Sequence, residues 1–280
     1  MMPAHLGDQA PVGLTVDPTA QWIVTSGMAV VAALVTWLVL RGTRGAERRL
    51  RLLILLGGAL CVVFEPFIDH LGGYWAAERG QWRVFSLYGH GIPLWVVLLY
   101  LWFHGGLTTF LLVRLRRGLT GRQVWRLYGG FFVVAFVLET PMMWATRMSE
   151  YYGTQPFFDP TWLPVPLYFT MINAAWPFAV TGGVLAALWL RRVVLVPVFM
   201  VCTAFASYSA LIWPEAAALN SAAGIGWNYL GGTLSIGLVL LFIWVVSQVA
   251  PRITPVPPGE RLARSTAAET VPSGQQRPRQ

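Results

Sequence analysis

The chain contains no lysine, so all 20 of its basic residues are arginine. A retinal Schiff base is thereby excluded, and with it the opsin-type reading that several apolar helices would invite. Charge of either sign is scarce. Only 11% of the 280 residues are charged against 56% hydrophobic, and uncharged stretches reach the roughly twenty residues that cross a bilayer as helix. A soluble enzyme or a soluble DNA-binding domain of this length would need more polar residues to cover its surface. Cysteine is limited to Cys61 and Cys202, each inside an apolar run, which excludes a disulfide framework and leaves side-chain packing as the expected use. The four histidines are His5, His70, His90 and His104, only the last deep in an apolar run, so neither a haem pair nor a di-iron site can be assembled. H-E-x-x-H, G-x-S-x-G, P-loop and paired Asp-rich motifs are all missing. No metal and no cofactor is expected.

What is present is a series of apolar runs at roughly 22–40, 52–68, 92–113, 127–146, 165–190, 193–213 and 228–249. This pattern predicts an all-α fold, a polytopic transmembrane bundle of about seven helices. The net charge of +8 would suit nucleic acid, but the arginines lie between the runs and read as topology signals, so no nucleic-acid partner is expected. Arg41, Arg44, Arg48, Arg49 and Arg51 follow the first run, Arg114, Arg116, Arg117, Arg122 and Arg126 the third, and Arg191 and Arg192 the fifth. Arg252, Arg261, Arg264, Arg277 and Arg279 follow the seventh. The positive-inside rule then puts the N-terminus outside and the C-terminus in the cytoplasm. The expected organisation is an extracytoplasmic tail over 1–21, a membrane domain over 22–250 and a disordered cytoplasmic tail over 251–280, rich in Pro, Gly, Gln and Arg. Residues 1–21 carry Asp8 and Asp17 and no basic segment, unlike a cleavable signal peptide. No internal repeat is visible, which weighs against a transporter built from repeated halves.

The two longer outward loops, 69–91 and 147–164, are aromatic: Tyr74, Trp75, Trp82, Phe85 and Tyr88 in one, Tyr151, Tyr152, Phe157, Phe158 and Trp162 in the other. They suit either an interfacial belt or a lid over a lipophilic substrate.

Ionisable groups inside hydrocarbon cost roughly 2.5–3.5 kcal/mol each on insertion scales, so those present call for a reason. Glu65, His104 and Glu139 lie in the second, third and fourth runs at overlapping depths, from mid-membrane toward the outer side. Asp69 follows Glu65 by four residues, on the same face if the helix survives Pro66. Pro66, Pro141 and Pro177 free the carbonyls of Val62, Val137 and Asn173 as potential acceptors. Tyr100 and Thr108 flank His104 at helical spacing, and Asn173, Glu215, Asn220 and Asn228 lie toward the same outer side. Each also has a plain structural use: the carboxyls and His104 as interhelical hydrogen-bonding groups, and Asp69, His70, Glu78, Arg79, Arg83 and His90 as solvated interface residues. Taken together, Glu65, Asp69, His104 and Glu139 are the candidate acid–base set. Tyr100, Trp102, Trp144, Asn173, Trp176 and Asn228 are the candidate substrate-binding residues.

The run Glu65-Pro66-Phe67-Ile68-Asp69, then Gly89-His90-Gly91-Ile92-Pro93, then Tyr100-Leu101-Trp102-Phe103-His104-Gly105-Gly106 resembles the avermectin-type spirocyclase family of bacterial membrane proteins. The resemblance is most specific over residues 60–110 and extends to Glu139-Thr140-Pro141. It implies dehydrative spiroketal formation on a lipophilic polyketide in the bacterial cytoplasmic membrane. An acid helps a hydroxyl leave as water, roles that Glu65, Asp69, His104 and Glu139 suit. A terpene cyclase protonating a polyprenyl alkene or epoxide stays open, with Trp102, Trp144 and Trp176 as cation-stabilising faces. So does a non-catalytic transporter, receptor or scaffold. In each ligand-binding reading the partners are a lipophilic small molecule and membrane lipid.

Overall fold

The structure, a computed structural model, describes residues 10–221 and 223–253. His5, Asp8, the tail beyond Ile253 and its arginines 261, 264, 277 and 279 lie outside the described residues. Seven helices are long and apolar enough to cross a membrane: α1 Pro18–Leu40, α2 Gly45–Gly72, α3 Leu94–Arg116, α4 Gly121–Thr146, α5 Leu167–Trp189, α6 Val193–Leu219 and α7 Ile225–Arg252. The chain is a helical membrane protein with the expected seven spans. Most run a turn or so beyond the apolar stretches because polar residues at their ends remain helical.

Local sequence sets these ends. Asp17 caps α1, its carboxylate accepting from the amides of Thr19 and Ala20, with Pro18 at the first helical position. A reciprocal cap joins Thr120 and Gln123 at the start of α4. Gly73 ends α2 at φ +61, a left-handed conformation that favours glycine. Within α2, Cys61–Phe64 tighten to a 3-10 turn just before Pro66, which has no amide to continue the ladder. The Val62 carbonyl, expected to be freed by Pro66, instead accepts the Glu65 amide in that turn. Within α3, Leu101–Gly106 widen to a π-helical turn around His104.

Packing buries α2, α3 and α5 most deeply and leaves α1, α4, α6 and α7 around them. α2 lies against α3 and α6, α5 against α3, α4, α6 and α7, and α1 mainly against α3. At the α2–α3 crossing the backbones touch. A Cβ on Gly58 would sit 2.3 Å from the Gly105 amide nitrogen, and one on Gly105 would sit 2.9 Å from the Leu55 Cα. Small residues permit this approach in lipid, where dispersion contacts replace the hydrophobic drive. Cys61 is buried as expected, whereas Cys202 is exposed on the outer side of α6 and not packed in the core.

The fold is all-α as expected, and the aromatic loops add only two short strand pairs to it. Strand β1 (Tyr74–Ala76) pairs antiparallel with β4 (Ser149–Tyr151), and β2 (Arg83–Leu87) forms a hairpin with β3 (His90–Pro93). Because β1 and β4 follow α2 and α4, their pairing ties the two loops into one cap over one end of the bundle. The segment before α1 joins it through a Thr15–Arg79 bridge. Gln155 clasps this cap to the helices, donating to the carbonyls of Gly72 (3.0 Å) and Tyr152 (2.7 Å) and accepting from the Tyr168 hydroxyl (2.7 Å). By chain alternation the arginine-rich connections lie at the opposite end, where Glu47 pairs with Arg51 at 2.8 Å and Arg116 at 2.9 Å.

Two outcomes follow from this packing. Gly58→Ala should lower thermal stability in detergent by about 1–3 kcal/mol through overpacking. Gly27→Ala, with nothing within 4 Å of its added methyl, should leave it unchanged or slightly raised. In the cap, burial first and the neighbouring His70 second pull the His90 imidazole down to about 4. The unfolded chain takes up this proton near 6.5, so the stability His90 contributes is complete above that pH and declines as pH falls toward 4. Thermal unfolding compared at pH 7.5 and 5 should show the loss, and His90→Gln should reduce it.

Candidate active site

Beneath the cap lies a cavity of about 90 Å³. Its polar groups come from four spans. α2 contributes Glu65 and Asp69, α3 Tyr100 and His104, α4 Glu139, and α5 Asn173 and Trp176. Counting along each helix at 1.5 Å per residue, these side chains originate about 5–15 Å below the capped end. The Gly58–Gly105 crossing is what brings the α2 pair to the α3 pair. The remaining wall is apolar and aromatic, including Phe103 and Phe169, with Tyr74 of β1 reaching in from the cap.

The hydrogen bonds divide the three carboxyls. The Tyr100 hydroxyl donates to Glu65. Glu139 accepts from the Tyr151 hydroxyl at 2.9 Å and from the Asn173 amide at 3.4 Å. Asp69 is 1% exposed, and neither of its carboxyl oxygens has a hydrogen-bond partner among the described residues. The His104 Nδ1 is also buried and, among the described residues, unpartnered. No countercharge sits among them: the ion pairs among the described residues are the two at Glu47, at the other end of α2. Three acids in one apolar pocket without a cation repel one another whenever more than one is ionised, an arrangement suited to sharing protons.

The aromatic rings are placed with comparable order. His104 meets the Tyr100 ring edge-on at 4.5 Å and the Trp176 ring at 4.4 Å. Trp176 donates to the Ala204 carbonyl at 2.9 Å, which fixes its indole against α6. The π-helical turn displaces the α3 backbone at His104, a distortion that recurs at functional positions. From the cap, Tyr74 and Tyr151 pair in register with ring centroids 5.2 Å apart. Burial pushes both phenols well above the ordinary value of 10, so they remain donors. The nearby Asp69 carboxyl adds to this at Tyr74 and Glu139 adds to it at Tyr151.

All four candidate acid–base residues therefore line one cavity, as do Tyr100, Asn173 and Trp176. Three candidate binding residues do not. Trp102 is buried in an apolar cluster beside the cavity, with Ala32, Phe103 and Ala135. Trp144 is 53% exposed on the outer face of α4. Asn228 donates to the Thr154 carbonyl at 2.7 Å and fastens α7 to the cap connection. The sequence offers Tyr74 and Tyr151 as parts of an interfacial belt or lid, with no link to Glu139. Nothing local marks two three-residue strands that pair from Tyr74–Ala76 to Ser149–Tyr151. Glu215 is buried elsewhere, in α6 beside Gly231 and Gly232 of α7, and does not line the cavity.

Among the described residues no group of three or more His, Cys, Asp or Glu side chains is arranged to hold a metal ion. The arrangement offers acids without countercharge, phenol and amide donors, and aromatic faces around an apolar space. Such a site can bind an oxygen function, deliver a proton to it and stabilise positive charge that develops nearby. Comparison with known proteins supplies no relative, since no family model, no curated protein and no solved structure matches the chain.

Proposed function

We propose that the protein is a membrane-embedded acid–base cyclase acting on a lipophilic natural-product precursor, with dehydrative spiroketal formation as its reaction. The observation that carries this reading is the convergence of Glu65, Asp69 and Glu139 on one apolar cavity with no cation among them. The resemblance of residues 60–110 to the avermectin-type spirocyclases supports it, and the motifs behind that resemblance supply Glu65, Asp69, Tyr100 and His104 to the cavity. In this reading a dihydroxyketone binds with its ketone among the carboxyls. One substrate hydroxyl adds to the ketone to give a hemiketal. A carboxyl, Glu139 or Glu65, then protonates the hemiketal hydroxyl, which leaves as water. The second substrate hydroxyl captures the resulting oxocarbenium ion and gives its proton to His104 or Asp69, so that product and one water balance the substrate. Tyr151 and Asn173 orient Glu139, and Tyr100 orients Glu65. The membrane is the bacterial cytoplasmic membrane, with the capped end outward and the arginine-rich end in the cytoplasm.

The aromatic wall favours one second reading, a terpene cyclase. There the same acid protonates a polyprenyl alkene or epoxide, and the faces of Trp176, Tyr100 and Phe103 stabilise the carbocation.

Lipophilic extracts of cells with and without the intact chain, analysed by mass spectrometry, separate these readings. A product lighter than its accumulated precursor by one water supports spiroketal formation, and an isomeric product supports the terpene reading. Compounds that are unchanged but redistributed across the membrane would sink both in favour of transport. Glu139→Gln and Glu65→Gln should each lower conversion about 10²–10⁴-fold in membranes that contain normal amounts of the protein. Tyr151→Phe, which removes one donor to Glu139, should cost roughly tenfold. Unchanged conversion in both Gln variants would refute the acid–base assignment.

A further inference from the structure

We infer that the cavity takes its ligand sideways from the bilayer, through a gap between α1 and α4, and that its substrates are amphiphiles with an oxygen function at one end of a chain that stays in lipid. This rests on the cavity being the substrate site of the proposed function. The observation behind it is the unequal packing of the flanking spans. α1 and α4 both border the cavity, through Met28 and through Ala135, Leu138, Glu139 and Met142, yet the two helices scarcely touch each other.

The gap has a floor and two posts. Ala32 of α1 and Ala135 of α4 are buried in one cluster with Phe103, closing the space on the side away from the cap. One turn nearer the cap, Met28 stands on one side and Leu138 on the other, and here the closure fails. Leu138 is 41% exposed on the outer surface although it lines the cavity. It continues the lipid-facing stripe of Val134 and Val137, which are 40% and 59% exposed. The residue after it is Glu139. A molecule moving in the acyl-chain region thus meets an apolar wall residue of the same cavity that Glu139 lines. Above, the paired strands β1 and β4 and the buried Tyr74 and Tyr151 cover the site from the aqueous side. A cavity of about 90 Å³ encloses the reacting end of a long-chain compound and not the whole of it, so the chain must lie in the gap and beyond it.

Carboxyl modification reads this route without relying on turnover. The full-length protein in liposomes is treated with the lipid-soluble reagent dicyclohexylcarbodiimide or with the water-soluble ethyl-dimethylaminopropyl carbodiimide, from pH 5 to 8. Adducts at Glu139 are then followed by peptide mass spectrometry. The lipid-soluble reagent should modify Glu139 at least tenfold faster than the water-soluble one. Leu138→Trp should slow that modification about tenfold, and Leu138→Ala should speed it. Equal labelling by both reagents, indifferent to residue 138, would mean access through the cap and would overturn the proposal. So would the absence of adducts with either reagent in the wild-type chain. Lipid-phase labelling that responds to residue 138, in a protein that converts no precursor, would keep the portal and discard the cyclase. Conversion with aqueous labelling would do the reverse.

Discussion

The close crossing of α2 and α3 is the contact on which the rest of the molecule depends. With Gly58 and Gly105 backbone to backbone, the two helices leave no room for side chains at the crossing and hold one register along their length. That register sets the Glu65 carboxyl under the Tyr100 hydroxyl and puts Asp69 and His104 on the same cavity. α6 then supports α2 from behind, and α5 completes the wall with Asn173 and Trp176. A larger residue at either glycine would separate the acid pair from the aromatic pair before it changed any chemistry.

The second constraint is the cost of polar groups in a hydrocarbon environment. It makes helices of nearly all the membrane-crossing chain, because only a helix satisfies the backbone within one segment. It also makes the exceptions informative. The 3-10 turn before Pro66 and the π-helical turn at His104 break the regular ladder on the two helices that carry most of the site. The cap serves the same economy at the end of the bundle. Tyr151 reaches down to Glu139, and Gln155 ties the loops to α2 and α5, so the cover over the cavity is held by hydrogen bonds made inside it.

Much of this was legible without coordinates. The apolar runs marked all seven spans, and the rarity of charge singled out Glu65, Asp69, His104 and Glu139, which do share one cavity. Tyr100, Asn173 and Trp176 were also placed with them. Trp102, Trp144 and Asn228 were not, because residue type and depth do not say which way a helix is turned. Trp176 and Trp102 are equally apolar and comparably deep, yet one lines the cavity and the other packs into a neighbouring cluster. The cap was visible only as aromatic loops.

The sequence by itself determined the class of the molecule, the number and approximate place of its spans, and the few groups whose burial needs a reason. All of these follow from length, hydropathy and the cost of charge in lipid, which are local quantities. The tertiary structure alone decided which faces meet. The pairing of Tyr74 with Tyr151, the turning of Trp102 and Trp144 away from the site, and the sparse packing of α1 against α4 each depend on contacts between segments far apart in the chain. Such contacts are set by the fit of whole helices against one another, which no single stretch of the sequence encodes.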